Sequence, residues 1–544
     1  MIALAAAAIL DVVLANGRVV DGTGAPWFRA DVGLRGDRIA AVGDLSHAKA
    51  RRRVDLHGLT VSPGFIDMLG QSELNLLVDN RAESKIRQGI TSELTGEGIS
   101  PAPMNATWIE ENRDWLRRYK VRIDWTDLAG YFRRLRRARP AINVGVLVGA
   151  GQVRGVVLGL SDVQPDAAQL RAMQALVEKA MEQGALGVST GLIYPPGAYA
   201  KTPELVALAQ AAAKHGGIYA THLRSEGKQI VPALEEAFTI GREARLPVEI
   251  WHLKVSGKSM WGRMKEVTEL IEQARARGID VTADLYPYVA SANNLDSSIP
   301  DWAHAGGTDA MLARLRDPKD RARILEQLPR DGFSPDTILL LSCLNPELKP
   351  YMGRRLPDVA HELGVTPGEA MLDLVARDRG NVGVARFGMS EEDVQLALGK
   401  PWTSIDLDYG GRALDGPLST EGSAHPRAFG TMPRVLGHYV REVKLFSLEE
   451  AVRKMTSLPA RRLNLQDRGV LRVGMKADLA VFDPETIRDV ATFEKPLAYP
   501  EGVVHVLVNG RFVLDGGRLT RERPGVPLVH PHLAASSHSA PASR

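Results

Sequence analysis

The chain has 544 residues, 44% of them hydrophobic and 24% charged, which excludes a disordered protein and allows a large domain plus a smaller one. Its 68 basic and 65 acidic residues leave a formal net charge of +3, so composition gives no reason to expect nucleic acid as a partner. The single cysteine, Cys343, lies in the apolar run TILLLSCLNP and reads as a core residue; one cysteine excludes an intrachain disulfide and a thiol-rich metal site.

The opening MIALAAAAILDVVLANG holds an apolar run of about a dozen residues, too short for a bilayer and without the basic leader of a secretory signal. A soluble protein without a membrane partner is expected. The compartment stays open: cytoplasmic or, behind a trimmed signal peptide, periplasmic or secreted. Next, DVVLANGRVVDG places an Asn-Gly turn between two β-branched runs, and DVGLRGDRIAAVG repeats the strand-turn-strand pattern. Residues 1–62 are therefore expected to form the N-terminal part of a small antiparallel domain.

From residue 63 to 462 short apolar strands alternate with helical segments rich in Arg, Glu and Ala, the pattern of βα units on a parallel sheet. Eight strands are predicted: FIDMLGQ (65–71), TSELTGE (91–97), INVGVLVGAG (142–151), ALGVST (185–190), GIYATH (217–222), PVEIWH (247–252), IDVTADLYP (279–287) and TSIDLD (403–408). Eight is the count of a (β/α)8 TIM barrel, distorted here by an insertion at about 290–400 that opens with SANNLDSSIPDW. The basic runs from Arg117 and from Arg133 read as solvated helix faces rather than an anion or partner patch. Residues 463–526 return to hairpin texture in QDRGVLRVGMKADLAVFDP and GVVHVLVNGRFVLDGG, so both chain ends should close one composite β-sandwich domain. The tail 527–544, rich in Ser, Ala, Pro and His, is expected to be disordered.

Barrel enzymes carry their chemistry at the C-terminal ends of the strands. Those ends read Gln71, Glu97, His222, His252, Tyr286 with Tyr288, and Asp408, a polar ring. One strand-end histidine is more often structural than a ligand, but His222 and His252 hold equivalent places on successive strands. Neutral imidazoles aimed at one point suit zinc. Glu97, between two glycines in LTGEGIS, either caps a loop or completes a set of two histidines and one carboxylate with an open position for water. The same set also suits ferrous iron, although nothing else suggests oxygen chemistry. Asp406 and Asp408 in TSIDLDYGG share one face of their strand, and either could be a base.

The chain resembles the N-acyl-D-amino-acid deacylases (D-aminoacylases) of the amidohydrolase superfamily over about residues 10–526. The resemblance rests on NGRVVDGTGAPW, VSPGFID, STGLIYPPGAYA, YATHLRSEG, WHLKVSGK, DLYPY, HPRAFGTMPRVLGHYVRE, GVLRVGMKADLAVFDP and PEGVVHVLVNG. Family members carry a His-x-His pair directly after PGFID, where this chain has Leu69 and Gln71, and a cysteine where it has Glu97. The resemblance thus implies a divergent member with one zinc per chain, held by Glu97, His222 and His252, and Asp408 as catalytic acid and base. Substrate contacts are expected from Lys254 first and Arg224 second, as partners of a carboxylate, and from Tyr194, Tyr199, Tyr286 and Tyr288. Gln71 should hydrogen-bond water, substrate or a ligand carboxylate, Glu73 should tether its loop, and His425 and Arg427 of HPRAFG should form the rim.

The implied activity is removal of the acyl group from an N-acylated amino acid, plausibly of D configuration, by a zinc-activated water. The alternatives are a dipeptidase or detoxifying amidase on the same scaffold, or a non-catalytic ligand-binding barrel. A small-molecule N-acylated amino acid or related amide is the expected partner, and a homo-oligomer the expected assembly.

Overall fold

The apolar runs become the staves of a barrel. A computed structural model, which describes residues 9–328 and 333–531, places them at Phe65–Asp67 (β1), Ile90–Thr95 (β2), Asn143–Val146 (β3, continued past Leu147 by Val148–Gly149), Gly187–Gly191 (β4), Ile218–His222 (β5), Val248–Ile250 (β6), Val281–Leu285 (β7) and Thr403–Ile405 (β8). Each pairs in parallel with the next. The Met68 amide, one residue past β1, donates to Ile405 O of β8 at 3.4 Å and closes the ring. These strands are buried on both faces, which is why they read as near-continuous apolar runs. Helices such as Ala167–Glu182, opened by a capping box of Asp166 and Gln169, return the chain between strands.

Between β7 and β8 the chain builds a three-stranded antiparallel sheet from Ser291–Asn294, Gly383–Arg386 and Ile338–Ser342. Helices pack on it around a separate apolar cluster that includes Leu312, Leu340, Leu374 and the buried Cys343. The two chain ends meet in one nine-stranded sheet, in which Leu479–Phe482 lies antiparallel to Thr60–Pro63. Asn509 (φ +46°) and Gly510 (φ +75°) turn Val503–Val508 into Arg511–Asp515, as the Asn-Gly signature predicts.

Two readings change. Asn16-Gly17 is not a hairpin turn but a bulge inside the single strand Leu10–Val19, where the register to Phe28–Arg35 slips between Leu14 and Gly17. Pro527 and Leu528, expected within a disordered tail, are buried and pair in parallel with Val144 and Gly145 of β3. The tail's polar average conceals this short apolar PLV segment; residues 532–544 lie outside the described residues, as do 1–8 of the apolar opening. The second basic run lies on helix Leu128–Ala138, with Tyr131, Phe132 and Leu135 buried and Arg133, Arg136 and Arg137 exposed, the solvated face expected of it. Among the described residues no helix is long and apolar enough to cross a membrane.

Candidate active site

The C-terminal ends of β1, β2, β5, β6 and β8 converge on one polar cluster. Glu97 stands two residues past β2 between Gly96 (φ +103°) and Gly98 (φ +65°). A Cβ on Gly96 would lie 2.2 Å from Leu147 O, and one on Gly98 2.3 Å from Gly191 N, so only glycine fits either place. The turn aims Glu97 Oε1 at His222 Nδ1 (2.8 Å), the last residue of β5, and at His252 Nε2 (3.0 Å), two residues past β6. The two imidazole centroids are 4.4 Å apart, and one ligand atom from each of the three residues lies within 4.8 Å of the others. Burial pushes the Glu97 carboxyl up, but the adjoining imidazoles outweigh it and hold the group well below the ordinary carboxylate range. An ionised carboxylate and two imidazoles converging in this way fit a divalent cation such as zinc.

A supporting layer surrounds these donors. Glu226 Oε1 lies 3.1 Å from His252 Nδ1 and 2.5 Å from Lys254 Nζ, which is itself 2.8 Å from His252 Nδ1. Asp284 of β7 accepts the His252 amide at 2.6 Å and holds that residue in the left-handed region (φ +37°).

Gln71 joins the cluster to Asp408. Its Nε2 donates to Glu97 Oε2 and Asp408 Oδ1, both at 2.7 Å, while Leu69 is buried in an apolar cluster. Asp408 Oδ2 lies 2.9 Å from Arg427 Nη1, and the Arg427 guanidinium covers the Tyr286 ring at 4.4 Å. Burial raises the Asp408 carboxyl, and Arg427 opposes the rise without cancelling it. Gln71 (φ +50°) and Asp408 (φ +46°) share the left-handed region with His252. Such backbone costs of order 1–3 kcal/mol per residue and gathers where function needs it. Asp406 is instead fully buried behind the cluster, facing Asp284, with burial pushing its carboxyl up to about 7.

Of the other expected contacts, Tyr194 meets the His222 ring edge-on at 5.1 Å. The Tyr286 hydroxyl is buried without a hydrogen-bond partner among the described residues. His425 lies behind the site: its Nε2 donates to Ala290 O at 2.9 Å and its Nδ1 accepts the Arg427 amide at 3.0 Å. Burial, then Arg427, hold it well below the usual histidine range, hence neutral, and Tyr288 packs edge-on against it at 5.3 Å. Arg427 is therefore buried against Asp408 and not on a rim. Glu73 accepts the Thr95 hydroxyl and tethers its loop.

Two residues are committed elsewhere. Arg224 spends its donors on Glu236 and the carbonyls of Ala198 and Ala200, and the Tyr199 hydroxyl donates to Asp301 O at 2.8 Å. Sequence reasoning missed Glu226, whose one signal is its place four residues after His222. It also missed Arg386, on the sheet of the insertion. The half-buried Arg386 donates to Asn293 Oδ1 (2.9 Å) and to the Ser297 and Ser298 hydroxyls, all neutral; loss of solvent lowers it to about 10, against the opposing influence of the Tyr194 phenol and the Asp296 carboxyl.

An eight-stranded barrel with two imidazoles, a glutamate and a poised aspartate at its strand ends defines an amidohydrolase. Residues 417–514 match the Amidohydrolase family. The chain is 40% identical over 525 residues to a D-aminoacylase of Alcaligenes xylosoxydans xylosoxydans, covering 95% of this chain and 97% of that one. It is 38% identical to an N-acyl-D-glutamate deacylase of the same organism, covering 92% and 93%. Its fold matches N-acyl-D-glutamate deacylase from Bordetella bronchiseptica, complexed with zinc and a phosphonate mimic of the tetrahedral intermediate, at TM-score 0.82, 34% identity and coverage of 96% and 100%. The chain belongs to the N-acyl-D-amino-acid deacylase (D-aminoacylase) family of amidohydrolases.

Proposed function

We propose that the protein hydrolyses the amide bond of N-acyl-D-amino acids with one zinc ion per chain, held by Glu97, His222 and His252. The observation that carries this reading is the Glu97–Gln71–Asp408 link, which places a buried carboxylate one amide group away from a cation-binding set. Zinc bound there supplies a water acidic enough to ionise near neutral pH and polarises the scissile carbonyl.

The remaining chemistry falls to side chains. Asp408 takes the proton of the attacking water and returns it to the leaving nitrogen, acting first as base and then as acid. Gln71 Nε2 orients Asp408 through Oδ1 and Arg427 through Oδ2, so the carboxylate cannot rotate away. The unpartnered Tyr286 hydroxyl is a ready donor to the tetrahedral oxyanion. Asp406, with Asp284 as its neighbour and no contact to Gln71, is not assigned the base.

Lys254 is already bound to Glu226 and His252, which favours a role in fixing His252. Arg386, whose hydrogen bonds among the described residues go to neutral groups and whose acidic neighbour Asp296 makes no hydrogen bond to it there, is the better partner for the substrate carboxylate. The D configuration is supported by relatives whose names specify it. A single ion is supported by Leu69 and Gln71, neither of which is a zinc ligand, although one related D-aminoacylase structure is described with a binuclear centre, one-metal activation and second-metal attenuation.

The test is a panel of N-acetyl D- and L-amino acids and dipeptides, run with and without a chelator, beside metal analysis of the purified protein. Chelator-sensitive release of acetate from D substrates, with about one zinc per chain, is expected. Two tightly held ions would overturn the one-metal assignment, and dipeptide cleavage alone the substrate assignment.

A further inference from the structure

A buried ion pair lies directly beneath the residues assigned to base catalysis, and the mechanism leaves it unused. Lys85, in the short helix Glu83–Ile86, and Asp67, the last residue of β1, are both fully buried and 2.5 Å apart. Glu93 of β2 stands 3.3 Å from the same ammonium. Charge neutralisation alone would need no further contacts.

The pair nevertheless bonds four main-chain groups, each within two residues of one in the left-handed region. Around Gln71, Asp67 Oδ1 accepts the Leu69 amide (3.2 Å) and Lys85 Nζ donates to Gly70 O (3.0 Å). Around Asp408, Asp67 Oδ1 accepts the Leu407 amide (2.8 Å) and Lys85 Nζ donates to Tyr409 O (2.6 Å). Ser72 adds a parallel tie, accepting the Gly411 amide at 2.7 Å and donating to Glu93 at 2.8 Å. The loops after β1 and β8, more than three hundred residues apart in the chain, are thus fastened to one charge pair.

We propose that Asp67 and Lys85 are positioning residues which hold Gln71 and Asp408 in their strained conformations and thereby set the 2.7 Å contact between them. The inference rests on Asp408 acting as the base. Buried ion pairs seldom outperform apolar residues of the same volume for stability, so a pair whose remaining bonds go to the two catalytic loops is explained by geometry. A displacement near 1 Å at reacting groups is enough to cost about a hundredfold in rate.

The decisive variant is Asp67→Asn with Lys85→Met, which removes both charges of the pair; Glu93, whose carboxyl burial already raises to about 7 against the lowering influence of Lys85, then takes up a proton rather than facing an absent partner as a charge. Thermal midpoint, zinc content, KM and kcat are measured beside the single Lys85→Met variant. Positioning predicts a double variant with a near-native midpoint, one zinc and KM within about threefold, but with kcat about a hundredfold down. A purely structural pair predicts recovery of kcat along with stability. A folded double variant with kcat within threefold of the parent overturns the proposal, and so does one that cannot fold, since the pair would then be a folding element. Asp408→Asn separates this from the underlying reading: if it retains turnover, the base assignment fails, whereas an inactive Asp408→Asn beside a fully active double variant sinks only the positioning role.

Discussion

Asp408 is pulled two ways: burial raises its carboxyl while the Arg427 guanidinium 2.9 Å away lowers it, and burial prevails. The base works only when ionised, so turnover should fall as pH drops through a midpoint above the ordinary aspartate value of about 3.9. Removing Arg427 removes the lowering influence. Arg427→Met should therefore move the acid limb of the kcat profile to higher pH, with zinc content unchanged. A limb that stays in place, or moves to lower pH, would show that Arg427 does not set the ionisation of the base. His425 contributes nothing to this profile because burial and the Arg427 guanidinium hold it neutral; its part, bonded to Ala290 O and the Arg427 amide, is to place Arg427.

At the scale of elements, the insertion between β7 and β8 brings to the barrel what the strand ends lack. Arg386 sits at the end of Gly383–Arg386, beside Ser291 of the facing strand, with its hydrogen bonds going to neutral partners. A charged hydrogen bond is worth about 1.5–3 kcal/mol, so Arg386→Leu should raise KM for N-acyl amino acids about 10–150-fold and spare kcat. Steady-state kinetics decide it; an unchanged KM would move the carboxylate to Lys254. This element also marks where reading the sequence stopped working. The eight strands were legible because strands buried on both faces spell continuous apolar runs, and Glu97, His222, His252 and Asp408 were legible because they follow those runs directly. Asn16-Gly17 misled because a turn and a bulge both accept left-handed backbone. Arg386, Glu226 and Lys85 were invisible for another reason: each is defined by partners fixed only once the chain is folded, as with Lys85 and Tyr409 O.

For the molecule as a whole, the barrel end opposite the site is where the sheet from the chain termini is attached, and the attachment is polar. Asp478, just before Leu479–Phe482, accepts Arg468 and Asn143 Nδ2 (3.2 Å) through Oδ2, and the Asn509 amide (2.6 Å) through Oδ1. Asn143 opens β3, and Asn509 Nδ2 donates to its Oδ1 at 2.8 Å, so one barrel strand, one hairpin turn and one buried ion pair close on each other. The Asp478 carbonyl also accepts the Gly64 amide at 2.8 Å, directly ahead of β1. Residues at the N-terminal face of such a barrel serve stability, while those at the opposite face serve chemistry. Asp478→Ala would leave the buried Arg468 guanidinium with only the more exposed Asp467, 3.5 Å from its Nε, as counter-charge and both asparagines short of a partner, a loss of about 3 kcal/mol. The thermal midpoint should fall markedly, while the protein that remains folded keeps its zinc, KM and kcat. A midpoint that holds, or a kcat that falls at an unchanged midpoint, would show that the two ends of the barrel are not separated in this way.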